Sequence, residues 1–200
     1  MLKAIIFDLN GVFIESQKLS DRFKERFGIS QEEFLPALKE TMAKVRMPGA
    51  GDAFAHWKTF LDRWKLNLTR EEFFDFWFHD EKENTEMVAL AQDLKKQNVK
   101  LFILSNNLAE RAEYYEKHFP FLSTKLDGLF DKIHYSWQTG LVKPDPSCYQ
   151  KVLDENDLKP EECLYFDDSQ TNVEAAENLG IKSFLFRSAK DTENIIESEK

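Results

Sequence analysis

What stands directly behind each short apolar run constrains this chain more than any other feature of it. Four runs, Ala4 to Phe7, Val99 to Leu104, Leu164 to Phe166 and Ser183 to Phe186, are rich in β-prone residues and too brief for buried helices. They lack polar alternation, as strands covered on both faces do. A fifth run, Lys132 to Tyr135, does alternate. Helical patterns separate the runs, which predicts an α/β fold with a Rossmann-like parallel sheet. In such a sheet ligands sit beyond the carboxyl ends of the strands. Here those ends are polar: Asp8-Leu9-Asn10-Gly11-Val12, then Ser105-Asn106-Asn107, then Lys143-Pro144-Asp145-Pro146, then Asp167-Asp168-Ser169 with Asn172 beyond.

Start and stop signals mark the helices between these runs. Thr85 is placed to cap Glu86 to Gln97, Asp145 with Pro146 opens a helix through Leu153, and Gly180 closes one from Thr171 to Leu179. More than 80 residues separate the first two strands, too many for one crossover helix, so they must hold an inserted unit. The insertion is helical by pattern. Ser30 with Glu33 and Thr69 with Glu72 fit the capping-box spacing, and Leu19, Phe23, Phe27, then Phe34, Leu38, Met42, then Phe54, Trp57, Leu61, Trp64 recur at helical intervals. Four helices are expected over roughly residues 17 to 80, with a turn at Met47 to Gly51. The division is thus residues 1–14 and 85–200 for an α/β core and 15–84 for a small α-helical cap domain. Many of the 18 Phe and 4 Trp fall in the insertion and are expected to form its own core. The polar tail Asp191 to Lys200 reads as a short surface helix or frayed end.

Composition excludes several partners. With 27 Lys and Arg against 36 Asp and Glu, the net charge of −9 argues against nucleic acid and anionic membrane surfaces. No run of 18 apolar residues and no signal-peptide pattern is present, so the expectation is a soluble, cytoplasmic protein. Cys148 and Cys163 lack metal spacing and read as buried, reduced thiols. His56, His79, His118 and His134 also lack ligand spacing, and the acidic stretch Glu81 to Glu86 reads as a solvated face.

Taken together, the polar strand ends hold the parts of a phosphoryl-transfer site. A carboxylate can attack phosphorus, a hydroxyl and a cation can hold phosphoryl oxygens, and paired acids can hold a hard cation. Singly, each is an ordinary cap or turn residue. In this order, FDLNGVF, ILSNN, GLVKPDP and LYFDDSQTNVEAAENLG, the chain resembles the haloacid dehalogenase-like hydrolases over essentially its whole length, in particular phosphatases with a helical cap after the first strand.

The resemblance implies a Mg²⁺-dependent phosphatase of a small phosphorylated metabolite that works through an aspartyl phosphate. On that reading Asp8 is the nucleophile, Ser105 and Asn106 bind the phosphoryl group, and Lys143 neutralises charge. Asp8, Asp168 and the Asn10 backbone carbonyl would be metal ligands, with Asp167 direct or through water. Asn172 would orient the metal loop, and Ser169 reads as a helix cap. Oligomeric state is not legible.

One position departs from the family. Phosphatases of this type carry an acid/base Asp two residues after the nucleophile, and this chain has Asn10. An amide cannot exchange that proton, at a cost of about 10² to 10⁴ in rate. A cap residue such as His56 or His79 could substitute, the chain could be an altered form that traps the intermediate, or the chemistry could dispense with the acid. The alternatives to a working phosphatase are a non-catalytic phosphate-ligand binder and a 2-haloacid dehalogenase. The last needs a cap arginine near Asp8, for which Arg46, Arg63 and Arg70 are the candidates. The stretches Phe13 to Gln17 and His79 to Asn84 are expected hinges for cap closure.

Overall fold

Every residue of β1 (Ala4–Phe7) is buried, because it lies mid-sheet with both faces covered. The computed structural model describes residues 2–123 and 128–199. The sheet order is β5 (Lys132–Tyr135), β4 (Lys100–Ser105), β1, β6 (Cys163–Asp167) and β7 (Lys182–Leu185), all parallel. The α/β parallel-sheet expectation holds. β1 and β5 match their runs, while β4, β6 and β7 differ from theirs by about one residue at their ends, which makes Ser105 and Asp167 the last strand residues rather than the first loop residues.

The pleat sorts the apolar runs into two layers. Ile5, Phe7, Leu101, Ile103, Leu164 and Phe166 pack against α5 (Thr85–Lys96), α6 (Ala109–His118) and α10 (Ala189–Glu199). The alternate residues Ala4, Ile6, Phe102, Leu104, Cys163 and Tyr165 meet α8 (Pro146–Glu155) and α9 (Gln170–Glu177). The short α7 (Ser136–Thr139) follows β5 and leads into the Lys143 loop. Cys148 and Cys163 are buried free thiols. Helix α10 is anchored by buried Thr192 and Ile196 rather than frayed, and Lys200 lies outside the described residues.

Two caps differ from expectation. Asn84, not Thr85, caps α5, because its side-chain oxygen accepts the Met87 N–H at 3.1 Å and leaves Thr85 as the first helical residue. Ser169 stands at the N-cap of α9 without a side-chain cap bond, and its own N–H donates to Asp167 instead. Gly180 lies three residues beyond the last helical residue of α9.

Between β1 and β4 the chain forms β2 (Ile14–Glu15), α1 (Leu19–Phe27), α2 (Gln31–Val45), α3 (Ala53–Arg63), α4 (Arg70–Phe78) and β3 (Lys82–Glu83). Both capping boxes, Ser30 with Glu33 and Thr69 with Glu72, close as their spacing predicts. The rings of Phe23, Phe34, Trp57 and Phe73 are fully buried, and Trp57 lies 5.6 Å from Phe34 and 5.5 Å from Phe73, centroid to centroid. Each such side chain contributes about 1.5 to 3 kcal/mol by leaving water, which lets so small a helical unit hold together. Leu108, just before α6, joins this cluster and ties the insertion to the sheet layer. The two expected hinge stretches pair with each other: β2 and β3 are antiparallel, and the Asn84 N–H donates to the Phe13 carbonyl at 2.8 Å.

Candidate active site

The sheet brings Asp8, Ser105 and Asp167 together because β1, β4 and β6 are adjacent and end at the same edge. The Asp8 N–H donates to the Phe166 carbonyl at 2.8 Å and so continues the β1 to β6 ladder by one residue. Lys143 joins from the loop beyond α7. Its buried ammonium donates to Asp8 Oδ1 at 2.8 Å and to Asp167 Oδ2 at 2.7 Å.

Asp167 is fully buried and saturated with donors: Lys143, the Tyr165 hydroxyl, the Asn172 side-chain amide and the Ser169 N–H. Asp168 approaches from the next position. Gly11 makes room for it, since a Cβ there would stand 2.3 Å from Asp168 Oδ2, and its φ of +90° favours glycine as well. Carboxylate oxygens of Asp8, Asp167 and Asp168 all lie within 4.8 Å of one another.

Two of these three acids thus bind one ammonium, with the third carboxylate beside them. Burial, with the neighbouring Asp167 charge adding to it, raises the Asp8 carboxyl to about 6 even against the pull of Lys143. Asp168 is raised by burial and by Asp167. Lys143 is held above its ordinary value by the two acids, which outweigh the opposing effect of its burial. The donor set is all oxygen and carries uncompensated negative charge, and this fits a hard divalent cation.

Ser105 is buried at the end of β4, and its hydroxyl has no hydrogen-bond partner among the described residues. Asn106, the next residue, is tied to the Lys143 loop. Its side-chain amide donates to the Lys143 carbonyl and accepts the Lys143 N–H, both at 2.9 Å, so it braces the lysine loop.

Asn10 sits at the head of a buried polar chain that crosses to the insertion side. Its amide Nδ2 donates to the Tyr115 hydroxyl at 2.5 Å. That hydroxyl lies against Glu81 and Arg111, and Glu81 and Arg111 form a buried ion pair. The solvated reading of Glu81 is therefore corrected: the carboxylate is buried because Arg111, on α6, supplies its counter-charge. Burial raises the Tyr115 hydroxyl well above its usual range. Tyr115 and Arg111, one turn apart on α6, were not singled out in the sequence, and their spacing on one helix face was the available signal.

A cavity of about 420 Å³ opens beside these groups, bounded by Asn10, Gly11 and Asp168 on one side and by Arg22, Leu38 and Trp77 of the insertion on the other. Of the expected cap arginines, Arg46 is the one whose charge is felt at Asp8, while Arg70 pairs with Asp52 and Arg63 lies over the Phe60 ring. His56 contacts the Ala50 carbonyl at 2.9 Å and His79 ends α4, and neither borders this cavity.

Residues 2–180 match the profile of the haloacid dehalogenase-like hydrolases. Among curated relatives, the phosphorylated carbohydrates phosphatase of Thermotoga maritima is 24% identical over 198 residues, covering 90% of this chain and 83% of that protein. Pyrophosphatase PpaX of Bacillus mycoides is 26% identical, with 91% and 82% covered. Bifunctional epoxide hydrolase 2 of Rattus norvegicus is 31% identical over 104 residues, and the match spans 52% of this chain but 19% of that protein.

Among solved structures, the HAD family enzyme bt-2542 of Bacteroides thetaiotaomicron superposes with a TM-score of 0.82 at 21% identity, covering 98% of both chains. That enzyme is also known in complex with magnesium and inorganic phosphate. A predicted HAD-like hydrolase of Porphyromonas gingivalis gives 0.78 at 25% identity, with 99% and 97% covered. The L-2-haloacid dehalogenase of Xanthobacter autotrophicus gives 0.63 at 21% identity, with 92% and 76% covered, a likeness of fold alone. The profile match over most of its length, together with this shared fold, makes the chain a member of the haloacid dehalogenase-like hydrolases.

Proposed function

We propose that this chain is a Mg²⁺-dependent phosphatase of a small phosphorylated metabolite, with Asp8 as the nucleophile. The observation that carries the reading is the cluster of Asp8, Asp167 and Asp168, the first two bound by Lys143, with the buried Ser105 hydroxyl at the adjacent strand end. The phosphatases among its relatives support the same class.

In the first step an Asp8 carboxylate oxygen bonds to phosphorus as the bond from phosphorus to the leaving oxygen breaks. The leaving group carries away the electron pair. Ser105 and the Asn106 N–H hold phosphoryl oxygens, and Lys143 balances the charge gathered there. Water then attacks phosphorus, releasing inorganic phosphate and free Asp8. Asp8, Asp168 and the Asn10 carbonyl, with Asp167, would hold Mg²⁺, which would supply Lewis-acid neutralisation of charge on the phosphoryl oxygens. Asp167 serves as the fixed acceptor that aims Lys143 at Asp8. The insertion acts as a cap that swings on the paired β2 and β3 segments, and the protein is soluble and cytoplasmic.

The electrostatic interaction of Arg46 with Asp8 favours one second reading, dehalogenation, in which a cap guanidinium receives a substrate carboxylate. The three-acid cluster weighs against it, because that displacement needs no metal. The test is phosphate release from a phosphoester panel with Mg²⁺ and with EDTA, run beside chloride release from 2-chloropropionate. Mg²⁺-dependent phosphate release that Asp8→Asn abolishes supports the phosphatase. Chloride release alone replaces it with the dehalogenase, and ligand binding with no turnover makes the chain a binder.

A further inference from the structure

The side-chain amide at position 10 is tied down at its nitrogen. Asn10 Nδ2 donates to the Tyr115 hydroxyl at 2.5 Å, and Tyr115, on α6, is fully buried. Nitrogen and oxygen diverge from the same carbon of a planar carboxamide, so a nitrogen pinned on the interior turns the oxygen away from it. Asn10 lines the cavity beside Gly11 and Asp168, and its Oδ1 accepts no hydrogen bond from the described residues and is not sealed from solvent. A free acceptor therefore faces the space beside Asp8, two residues earlier in the chain.

Tyr115 is itself fixed from behind. The Arg111 guanidinium, one turn earlier on α6, lies 5.5 Å from the centre of the Tyr115 ring and pairs with Glu81. The hydroxyl lies against Glu81, whose buried Oε2 has no hydrogen bond elsewhere, so the carboxylate draws the hydroxyl proton and leaves the hydroxyl oxygen to accept from Asn10. A flipped amide would set Oδ1 against that oxygen, two acceptors face to face, so the surroundings choose which way round Asn10 stands.

What such an acceptor can do follows from the second half of the reaction. The leaving group departs from the face of phosphorus opposite Asp8, and water enters by that face to displace Asp8 in line. No base is consumed: the aspartyl phosphate dianion and water give the free Asp8 carboxylate and dihydrogen phosphate, with both water protons on the product. Asn10 cannot remove a proton, but an oxygen that takes one hydrogen bond from the water aims a lone pair of that water at phosphorus. A glutamine amide orients the attacking water of GTPases in the same manner.

We infer that Tyr115 is a positioning residue for this hydrolytic step: its hydrogen bond holds Asn10 Oδ1 where it accepts from the water that opens the aspartyl phosphate. The inference rests on the phosphatase reading and adds to it a task for position 10 other than proton transfer. Phosphoryl transfer to Asp8, the first step, does not use the arrangement.

The experiment follows formation and decay of the phosphoenzyme by rapid quench and intact mass. The substrate is p-nitrophenyl phosphate with Mg²⁺, chosen because p-nitrophenolate departs as the anion. Wild type, Tyr115→Phe, Asn10→Ala and the double variant are compared, with Asp8→Asn as the blank. Each single variant should slow decay about tenfold or more and leave formation within about twofold, so that phosphoenzyme builds up. The double variant should decay within about twofold of Asn10→Ala, because Tyr115 acts through Asn10. Unchanged formation shows that a variant is folded, and a merely structural role would slow both steps. Equal slowing of the two steps, a Tyr115→Phe protein in which no phosphoenzyme builds up, or a double variant in which the two losses multiply overturns the inference and leaves the phosphatase reading standing. Neither phosphoenzyme nor Asp8-dependent phosphate release in the wild type overturns both.

Discussion

Replacing Asp8 by Asn should make the metal-free protein more stable. The carboxyl is raised to about 6 from an ordinary 3.8, chiefly by burial and already net of the attraction of Lys143. A folded-state pKa above the unfolded one means the native protein binds more protons than the unfolded chain between those values. The ionised carboxylate therefore costs nothing below about pH 4, an increasing amount as pH rises to about 6, and a constant amount above. At about 1.4 kcal/mol per tenfold, the full penalty is about 3 kcal/mol. Asn keeps the shape and an acceptor for Lys143 while shedding the charge. In a chain this long, the gain should raise Tm by about 6 to 12 °C at pH 8 in EDTA. Thermal unfolding of the two proteins from pH 4 to pH 8 checks this. Saturating Mg²⁺ should stabilise the wild type more than Asp8→Asn and narrow the gap. An Asp8→Asn protein no more stable than wild type at pH 8, or an advantage that persists at pH 4, refutes the reasoning.

The other predictions concern single groups. Glu81→Gln leaves the buried Arg111 guanidinium without its counter-charge and should cost about 3 to 5 kcal/mol in urea unfolding at pH 7.5. Ser105→Ala removes a hydroxyl with no partner among the described residues, so stability should stay within about 1 kcal/mol while inhibition by inorganic phosphate weakens about tenfold. His134 is buried and its protonation is pushed down to about 4, by burial first and by Lys132 next. It stays neutral in the fold while the unfolded chain takes up a proton below about 6.5, so stability falls as pH drops from about 6.5 to about 4. His134→Gln should flatten that part of the acid-unfolding curve.

Local signals in the sequence carried much of this. The runs at Ala4 to Phe7 and Lys132 to Tyr135 are strands at those residues, and the capping boxes at Ser30 and Thr69 form because they depend on residues three apart. The cap of α5 went to Asn84 because two adjacent residues, Asn84 and Thr85, both make good caps, and spacing alone does not choose between them. The polar strand ends exposed Asp8, Ser105, Asp167 and Asp168, because a parallel sheet gathers such ends at one edge, and Lys143 stood out in the polar run before α8. What escaped is long-range pairing. Glu81 is buried only because Arg111 meets it, and Asn10 is oriented by a tyrosine 105 positions away. No periodicity records such meetings. An acidic run looks solvated until the cation that buries one member of it is known.

The pairing of β2 with β3 has a topological consequence. The chain leaves the sheet layer at Phe13 and re-enters at Asn84, and these two residues share a backbone hydrogen bond of 2.8 Å. The four helices between them hang from a single doorway, and no strand of the large sheet is threaded through them. A short turn could bridge that doorway with little closure entropy. The insertion is thus an exchangeable part: another helical unit with neighbouring ends could be spliced there, giving the same strand-end chemistry a different vestibule.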